Sequence, residues 1–189
     1  MYIRNCIKHF LTIMEHKKQV FLLCLKAGIP FRGAVHDLSK FHPEEFLESA
    51  KFYCGDRSPI LACKEANGYS MGWLHHRAHN KHHAEYWVDS LYLGGIPIKM
   101  PYKYNMEMIC DIIAASKTYN KGHFTRNLPY EYWNGNLRRT TILHEDTKRF
   151  TKKMLAAYMR HGDKVLKKQY AEKSFYTLCK KTDKIKEDI

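Results

Sequence analysis

Lys103-Tyr104-Asn105-Met106-Glu107-Met108-Ile109-Cys110-Asp111-Ile112-Ile113-Ala114-Ala115-Ser116-Lys117-Thr118-Tyr119 is the stretch from which the rest of the chain can be read. Met106, Met108, Ile109, Cys110, Ile112, Ile113, Ala114 and Ala115 place apolar groups on nearly every side of a helix over 103–119, which predicts a buried central element. In the middle of it sits Asp111. An ionised carboxylate buried in such surroundings costs several kcal/mol unless it is paired or bound to a cation. Taken alone, Asp111 fits an ion pair with an arginine or a polar seam. Taken with the histidines elsewhere in the chain, it reads as a metal ligand.

Outward from this helix the pattern stays helical. Residues 2–26 carry one apolar stripe at Ile3, Ile7, Phe10, Met14, Phe21 and Leu25 and a second at Ile13, His16, Val20 and Leu23, so His16 shares a face of buried character. Gly28 and Pro30 end that helix. A short helix is expected over 31–40, and Pro43 with Glu44 and Glu45 starts another that runs to about Tyr53. Gly55, Pro59 and Asn67-Gly68 mark a loop region with at most one helical turn. Helix returns near Ser70, breaks near Asn80, and resumes through Tyr86, Trp87 and Leu91 until Gly94-Gly95. Residues 96–101 read as an extended connector. A loop at Asn120 and Gly122 and a short helix from Pro129 follow. Two terminal helices over 141–161 and 163–180 are separated by Gly162. The expectation is an all-α, single-domain helical bundle over 1–189, with a metal-site core at about 10–120, a basic helical C-terminal extension at about 138–189, and no strand.

Composition narrows the class. At 189 residues with 44% hydrophobic and 13% aromatic content, the chain has enough apolar surface for a substantial core. No apolar run approaches the roughly 20 residues that span a bilayer, so a cytoplasmic protein without a membrane partner is expected. The six cysteines form no Cys-x-x-Cys pair, and most have apolar neighbours, as reduced thiols packed like small hydrophobes do. The net charge is +13, and residues 138–189 hold 15 Lys and Arg against 7 Asp and Glu. Such a surface attracts phosphates of nucleotides or nucleic acid. Here the lysines alternate with apolar positions, which equally describes a solvated helical face.

Chemistry concentrates in histidines and aspartates. His36-Asp37 opens the string His36-Asp37-Leu38-Ser39-Lys40-Phe41. On one helix the two side chains stand about 100° apart and can reach a common ion, with Asp37 able to bridge two ions. Lys40 lies one turn on, on the same side, placed to hold a phosphate. His75, His76, His79, His82 and His83 crowd nine residues, beside Trp73, Tyr86 and Trp87. Not all five can be ligands, and the sequence leaves open which ones are. His9, His42, His123, His144 and His161 have no comparable context. His42 reads as a helix-start or surface residue, and none of the five is assigned to the site.

The order His16, His36-Asp37, histidine cluster, Asp111 resembles the HD superfamily of metal-dependent phosphohydrolases, and His36 to Lys40 is similar to its His-Asp-x-x-Lys signature. The combination HDLSKF, HHRAHNKHHAEYW and EMICD resembles an uncharacterised bacterial and phage family of unknown function, over about residues 10–120. The resemblance implies an HD-like helical bundle in which His16, His36, Asp37 and Asp111 hold one divalent ion, and Asp37, His76 and one or both of His82 and His83 hold a second, the ions being Mn, Fe, Zn, Ni or Co. It implies hydrolysis of a nucleotide or other phosphoester by a metal-activated water, with Asp37 and Lys40 as catalytic residues. Arg77, Lys81, Lys117 and Lys121 are candidate phosphate contacts, although each also fits a solvated charge. The Gly-Tyr-Pro string of cyclic-dinucleotide phosphodiesterases is missing. Two rival expectations keep the same residues: di-iron dioxygen chemistry, known for some HD-fold proteins, and a non-catalytic nucleic-acid-binding protein that uses the basic tail.

Overall fold

The structure is a computed structural model that describes residues 2–89, 91–137 and 142–187. In α1 (Tyr2–Lys26) tertiary packing chooses between the two apolar stripes. Ile13, His16, Val20 and Leu23 are buried, whereas Ile3, Ile7, Phe10, Met14, Phe21 and Leu25 face outward. α2 (Pro30–Val35) starts on a proline that suits the first helical turn. It closes tightly on α1, because a Cβ on Gly33 would stand 2.7 Å from the Cys24 Cβ and 3.0 Å from the Phe21 Cα.

The helix expected over 31–40 does not run through the His36-Asp37 doublet. α2 stops at Val35, His36 adopts φ −54° and ψ 128°, and Asp37 enters the left-handed region at φ 52° and ψ 32°. A 3-10 turn, Leu38–Phe41, follows and leads to α3 (Pro43–Lys51). The stretch read as a loop holds α4 (Pro59–Asn67), stopped by Gly68 at φ 81°. Its apolar residues Ile60, Leu61, Ala62 and Cys63 are consecutive and so make no three-to-four-residue period, but Pro59 at the start and Gly68 at the end are the ordinary helix punctuation.

α5 (Met71–His79) is capped by the Ser70 side chain, which accepts from the Trp73 amide, and it ends at an extended Asn80 as expected. It does not resume as a helix. A 3-10 turn (Ala84–Trp87) leads instead into β1 (Val88–Asp89), which pairs antiparallel with β2 (Ile96–Pro97) in the register Val88 to Pro97 and Asp89 to Ile96. This two-residue ribbon is too short for alternation to appear in sequence, and it turns on Gly94 and Gly95, both at positive φ.

α6 (Tyr102–Asn120) is the apolar helix of the quoted stretch and the axis of the molecule. It packs lengthwise on α1 and also meets α2, α7 (Leu128–Tyr132), α8 (Glu145–His161) and α9 (Lys168–Glu187). A π-helical turn, Trp133–Leu137, follows α7, and a 3-10 turn, Gly162–Leu166, joins α8 to α9. Met106, Ile109 and Ile113 of α6 interlock with Val20 of α1 and Phe150 and Met154 of α8, all six fully buried. The fold is all-α apart from the ribbon. The start of the basic C-terminal stretch, residues 138–141, lies outside the described residues, as do 188–189. Among the described residues no helix is long and apolar enough to cross a membrane.

Candidate metal centre

Five separate segments aim side chains at one point between α1 and α6. α1 supplies His16, the break after α2 supplies His36 and Asp37, α5 supplies His76, the turn after Asn80 supplies His82 and His83, and α6 supplies Asp111. The break sets the geometry of the doublet. By leaving helical geometry at His36 and turning left-handed at Asp37, the chain brings His36 Nε2 to 3.2 Å from Asp37 Oδ2. A left-handed non-glycine residue costs about 1–2 kcal/mol. The break is held in place by Lys17, whose ammonium donates to the His36 carbonyl.

Asp37 sits at the middle. Its Oδ2 faces His36 and accepts from Lys40 Nζ at 2.7 Å, and its Oδ1 faces His76 Nε2 and His82 Nε2, both at 3.4 Å. Asp111 closes the other side: Oδ1 is 3.0 Å from His16 Nε2 and 3.7 Å from His36 Nε2, and Oδ2 is 3.8 Å from His82 Nε2. Donor atoms within 4.8 Å of one another form three overlapping groups: Asp37, His76, His82 and His83; His16, His36 and Asp37; and His36, His82 and Asp111. All seven ligands expected from the sequence therefore converge, and Asp37 belongs to two of the groups.

These groups are close without being hydrogen-bonded to one another. The Nε2 atoms of His16, His36, His82 and His83, the Nδ1 atoms of His16 and His82 and the Oδ1 of Asp37 are buried and lack a hydrogen-bond partner. Buried polar atoms are rarely left this way. Separations of 3.0–3.8 Å match the edges of a coordination polyhedron, because a tetrahedron with bonds of about 2.1 Å has edges of about 3.4 Å. The residues present thus fit a divalent cation better than they fit one another.

The ligands are oriented from behind by two buried glutamates. Glu107, one turn before Asp111, places Oε1 3.1 Å from His36 Nδ1 and 3.4 Å from His82 Nδ1, and its Oε2 accepts from Arg32 Nε at 2.7 Å. Glu45 accepts from His76 Nδ1 at 2.8 Å with one oxygen and from His75 Nδ1 at 2.6 Å with the other. On His36 and His76 a proton held on Nδ1 leaves the Nε2 lone pair pointing at the centre, the tautomer a metal ligand needs. Sequence reading passed over both residues. Glu107 carried a signal, since it shares the Asp111 face of an apolar helix at i and i+4. Glu45 carried none beyond its place in a first helical turn.

Electrostatics support the same arrangement. Burial pushes every carboxyl here upward, yet each ends low. Asp37 is held well below the usual range by the charges of His36, Lys40 and His76, and Asp111 by the close His16 and His36 imidazoles. The His36 hydrogen bond, the nearby His82 imidazole and the Arg32 contact bring Glu107 to about 2. His16 and His83 are lowered, chiefly by burial, and so stay neutral. Burial would lower His36 as well, but the Asp37 charge, the close Asp111 carboxylate and the Glu107 hydrogen bond raise it well above an ordinary imidazole. Ionised carboxylates beside neutral imidazoles are what cation binding requires, and a proton on His36 is what balances Asp37 when no cation does. Burial would also lower Lys40, but Asp37 and Asp111 raise it, so it remains an ammonium.

The remaining candidates sit elsewhere. Lys81 is exposed, with Nζ 5.3 Å from the Tyr86 ring centroid, and Lys117 Nζ lies 5.7 Å from that of Phe124. Arg77 is half-buried on α5, and Lys121 is exposed in the turn after α6. Among the described residues no hydrogen bond or ion pair joins any of these four to the seven ligands. Trp87 donates to the Lys81 carbonyl and packs on Tyr104, so its role is packing. His75 and His79 point away from the centre. His42 and His144 act as helix caps, accepting from the Glu44 and Asp146 amides, and His9 is a core residue.

No curated protein and no solved structure matches the chain. The span from residue 5 to residue 157, which contains all seven converging ligands, both orienting glutamates and Lys40, matches the family of unknown function DUF5662, and the chain belongs to that family.

Proposed function

We propose that this chain is a metal-dependent phosphohydrolase of HD type, acting on a nucleotide or another phosphoester. The observation that carries the reading is the convergence of five histidines and two aspartates around buried, unpartnered nitrogens, with an ammonium alongside. His16, His36, Asp37 and Asp111 would hold one divalent ion, and Asp37, His76, His82 and His83 a second, of the Mn, Fe, Zn, Ni or Co class that imidazole and carboxylate suit. Such ions supply a water of near-neutral pKa and positive charge for phosphoryl oxygens.

The chain's own residues define the approach. His36, Asp37 and His82 are closed to solvent, whereas the Asp111 and Lys40 side chains retain 20% and 27% exposure. A phosphoester therefore reaches the centre from the side where these two emerge. Lys40, held by Asp37, is positioned to take a phosphoryl oxygen, and as an ammonium it stabilises negative charge that builds there. Asp37 keeps Lys40 and the flanking imidazoles in one geometry. Glu107 and Glu45 keep those imidazoles in the tautomer required.

The test is metal content of the purified chain together with a screen of nucleotides and generic phosphoesters with and without added Mn(II), Zn(II) or Co(II). Divalent-dependent hydrolysis is expected, falling at least about 100-fold in Asp37→Asn. Hydrolysis that survives this change would refute the proposal. Iron in the protein with oxygen uptake and no hydrolysis would redirect the same ligands to dioxygen chemistry.

A further inference from the structure

We infer that His42, Glu44 and His75, with His79 beside them, form a second, outer site for a transition-metal cation of the zinc, nickel or cobalt class, distinct from the buried centre. Ligand atoms of His42, Glu44 and His75 lie within 4.8 Å of one another. The three imidazoles form a continuous stack: His42 lies 4.4 Å from His75 at 12° between planes, and His75 lies 4.0 Å from His79 at 24°. All three line a cavity of about 580 Å³ whose wall also includes Ser39 and Asn80.

Two of the rings are already in the metal-binding tautomer. His75 Nδ1 donates to Glu45 at 2.6 Å, and His79 Nδ1 donates to the His75 carbonyl at 2.7 Å, so both Nε2 lone pairs are free. Histidines at i and i+4 of one helix face present those lone pairs side by side, the spacing used by helical zinc sites. His42 Nδ1 accepts from the Glu44 amide at 3.4 Å, the outer limit of a hydrogen bond, so exchanging that weak contact for a cation on Nε2 costs little. Glu44 brings the negative charge that a surface cation needs, and Glu44 and His42 are exposed enough to adjust. Imidazole with one carboxylate, open to water for the remaining positions, selects borderline ions over magnesium or calcium.

Glu45 ties this site to the buried centre, since its two oxygens hold His75 on one side and His76 on the other. The outer site does not depend on what reaction the centre performs.

The experiment is equilibrium dialysis of the full, chelator-stripped chain against Zn(II), with bound metal counted. It compares wild type, the His42→Asn and His79→Gln double variant, and an Asp37→Asn and Asp111→Asn double variant. Asparagine retains the helix cap at position 42 while removing the imidazole, and both outer positions are exposed, so the fold should persist, as circular dichroism would show. The outer variant is expected to bind one ion fewer than wild type and to keep the centre's ions. The centre variant is expected to lose its buried ions and keep the outer one. Equal stoichiometry in wild type and the outer variant would overturn the inference, as would a centre variant that binds no zinc. A wild-type chain whose bound zinc is entirely removed by the outer substitutions would support the outer site and sink the reading of the buried centre.

Discussion

Asp37 and His9 show how position sets the behaviour of a single side chain. Asp37 stays ionised although buried, because His36, Lys40 and His76 surround it. His9 has no such company. It lies among the rings of Phe46 and Tyr53, its Nδ1 has no partner, and burial, aided by the Lys40 charge, lowers its pKa from 6.5 to about 4. The folded chain therefore resists a proton that the unfolded chain accepts. The stabilising contribution is fully present above pH 6.5 and is lost as pH falls toward 4. Between pH 7 and 5 the loss amounts to about 2 kcal/mol. His9→Phe, which cannot titrate, should lose less stability by that amount over the same interval, read from denaturant midpoints. Parallel pH slopes for the two proteins would contradict this account.

Among the elements, the α1–α2 crossing governs the centre most directly. α2 ends one residue before His36, so any shift of α2 moves both halves of the doublet. Gly33 sets the approach, because a Cβ there would stand 2.7 Å from Cys24 and 3.0 Å from the Phe21 backbone. Gly33→Ala gains about 1 kcal/mol of helix propensity but overpacks a helix–helix contact at about 1–3 kcal/mol. The backbone neighbour cannot swing aside, so overpacking wins. The variant should melt below wild type and bind zinc more weakly, and a melting temperature at or above wild type would show that α2 can move freely. Helix starts and stops were legible from single residues at Gly28, Pro43 and Ser70, whereas Pro59 and Gly68, read as loop, bound α4. The break at His36 was not, because the residues from 31 to 40 contain no glycine or proline after Gly33 to mark it. The chain leaves the helix there because Lys17 of α1 takes the His36 carbonyl, a contact 19 residues away in sequence.

For the molecule as a whole, α1, the α2 break, α5 with its following turn, and α6 all meet at the centre. A cation bound there links segments that span residues 16 to 111 and binds the folded state alone. At 100 times its dissociation constant it should stabilise by about 2.7 kcal/mol, which for a chain of this size raises the melting temperature by roughly 5–10 °C. Asp111→Asn should abolish most of that shift, measured by thermal unfolding with Zn(II) or Mn(II) against a chelated control. A zinc-induced rise that is the same in Asp111→Asn would place the binding elsewhere.

The sequence by itself determined the helical class, the central apolar helix with Asp111 inside it, and which residue types were available for a cation. These depend on composition and on repeats of three to four residues, which are local. It also contained, in order, the seven His and Asp residues that converge, since spaced His and Asp are rare enough to stand out. Only the tertiary structure decided that His76, His82 and His83 turn inward while His75 and His79 turn outward, that Glu107 and Glu45 orient the imidazoles, and which stripe of α1 is buried. Each of these depends on a partner distant in the chain, and no local pattern encodes where that partner will stand.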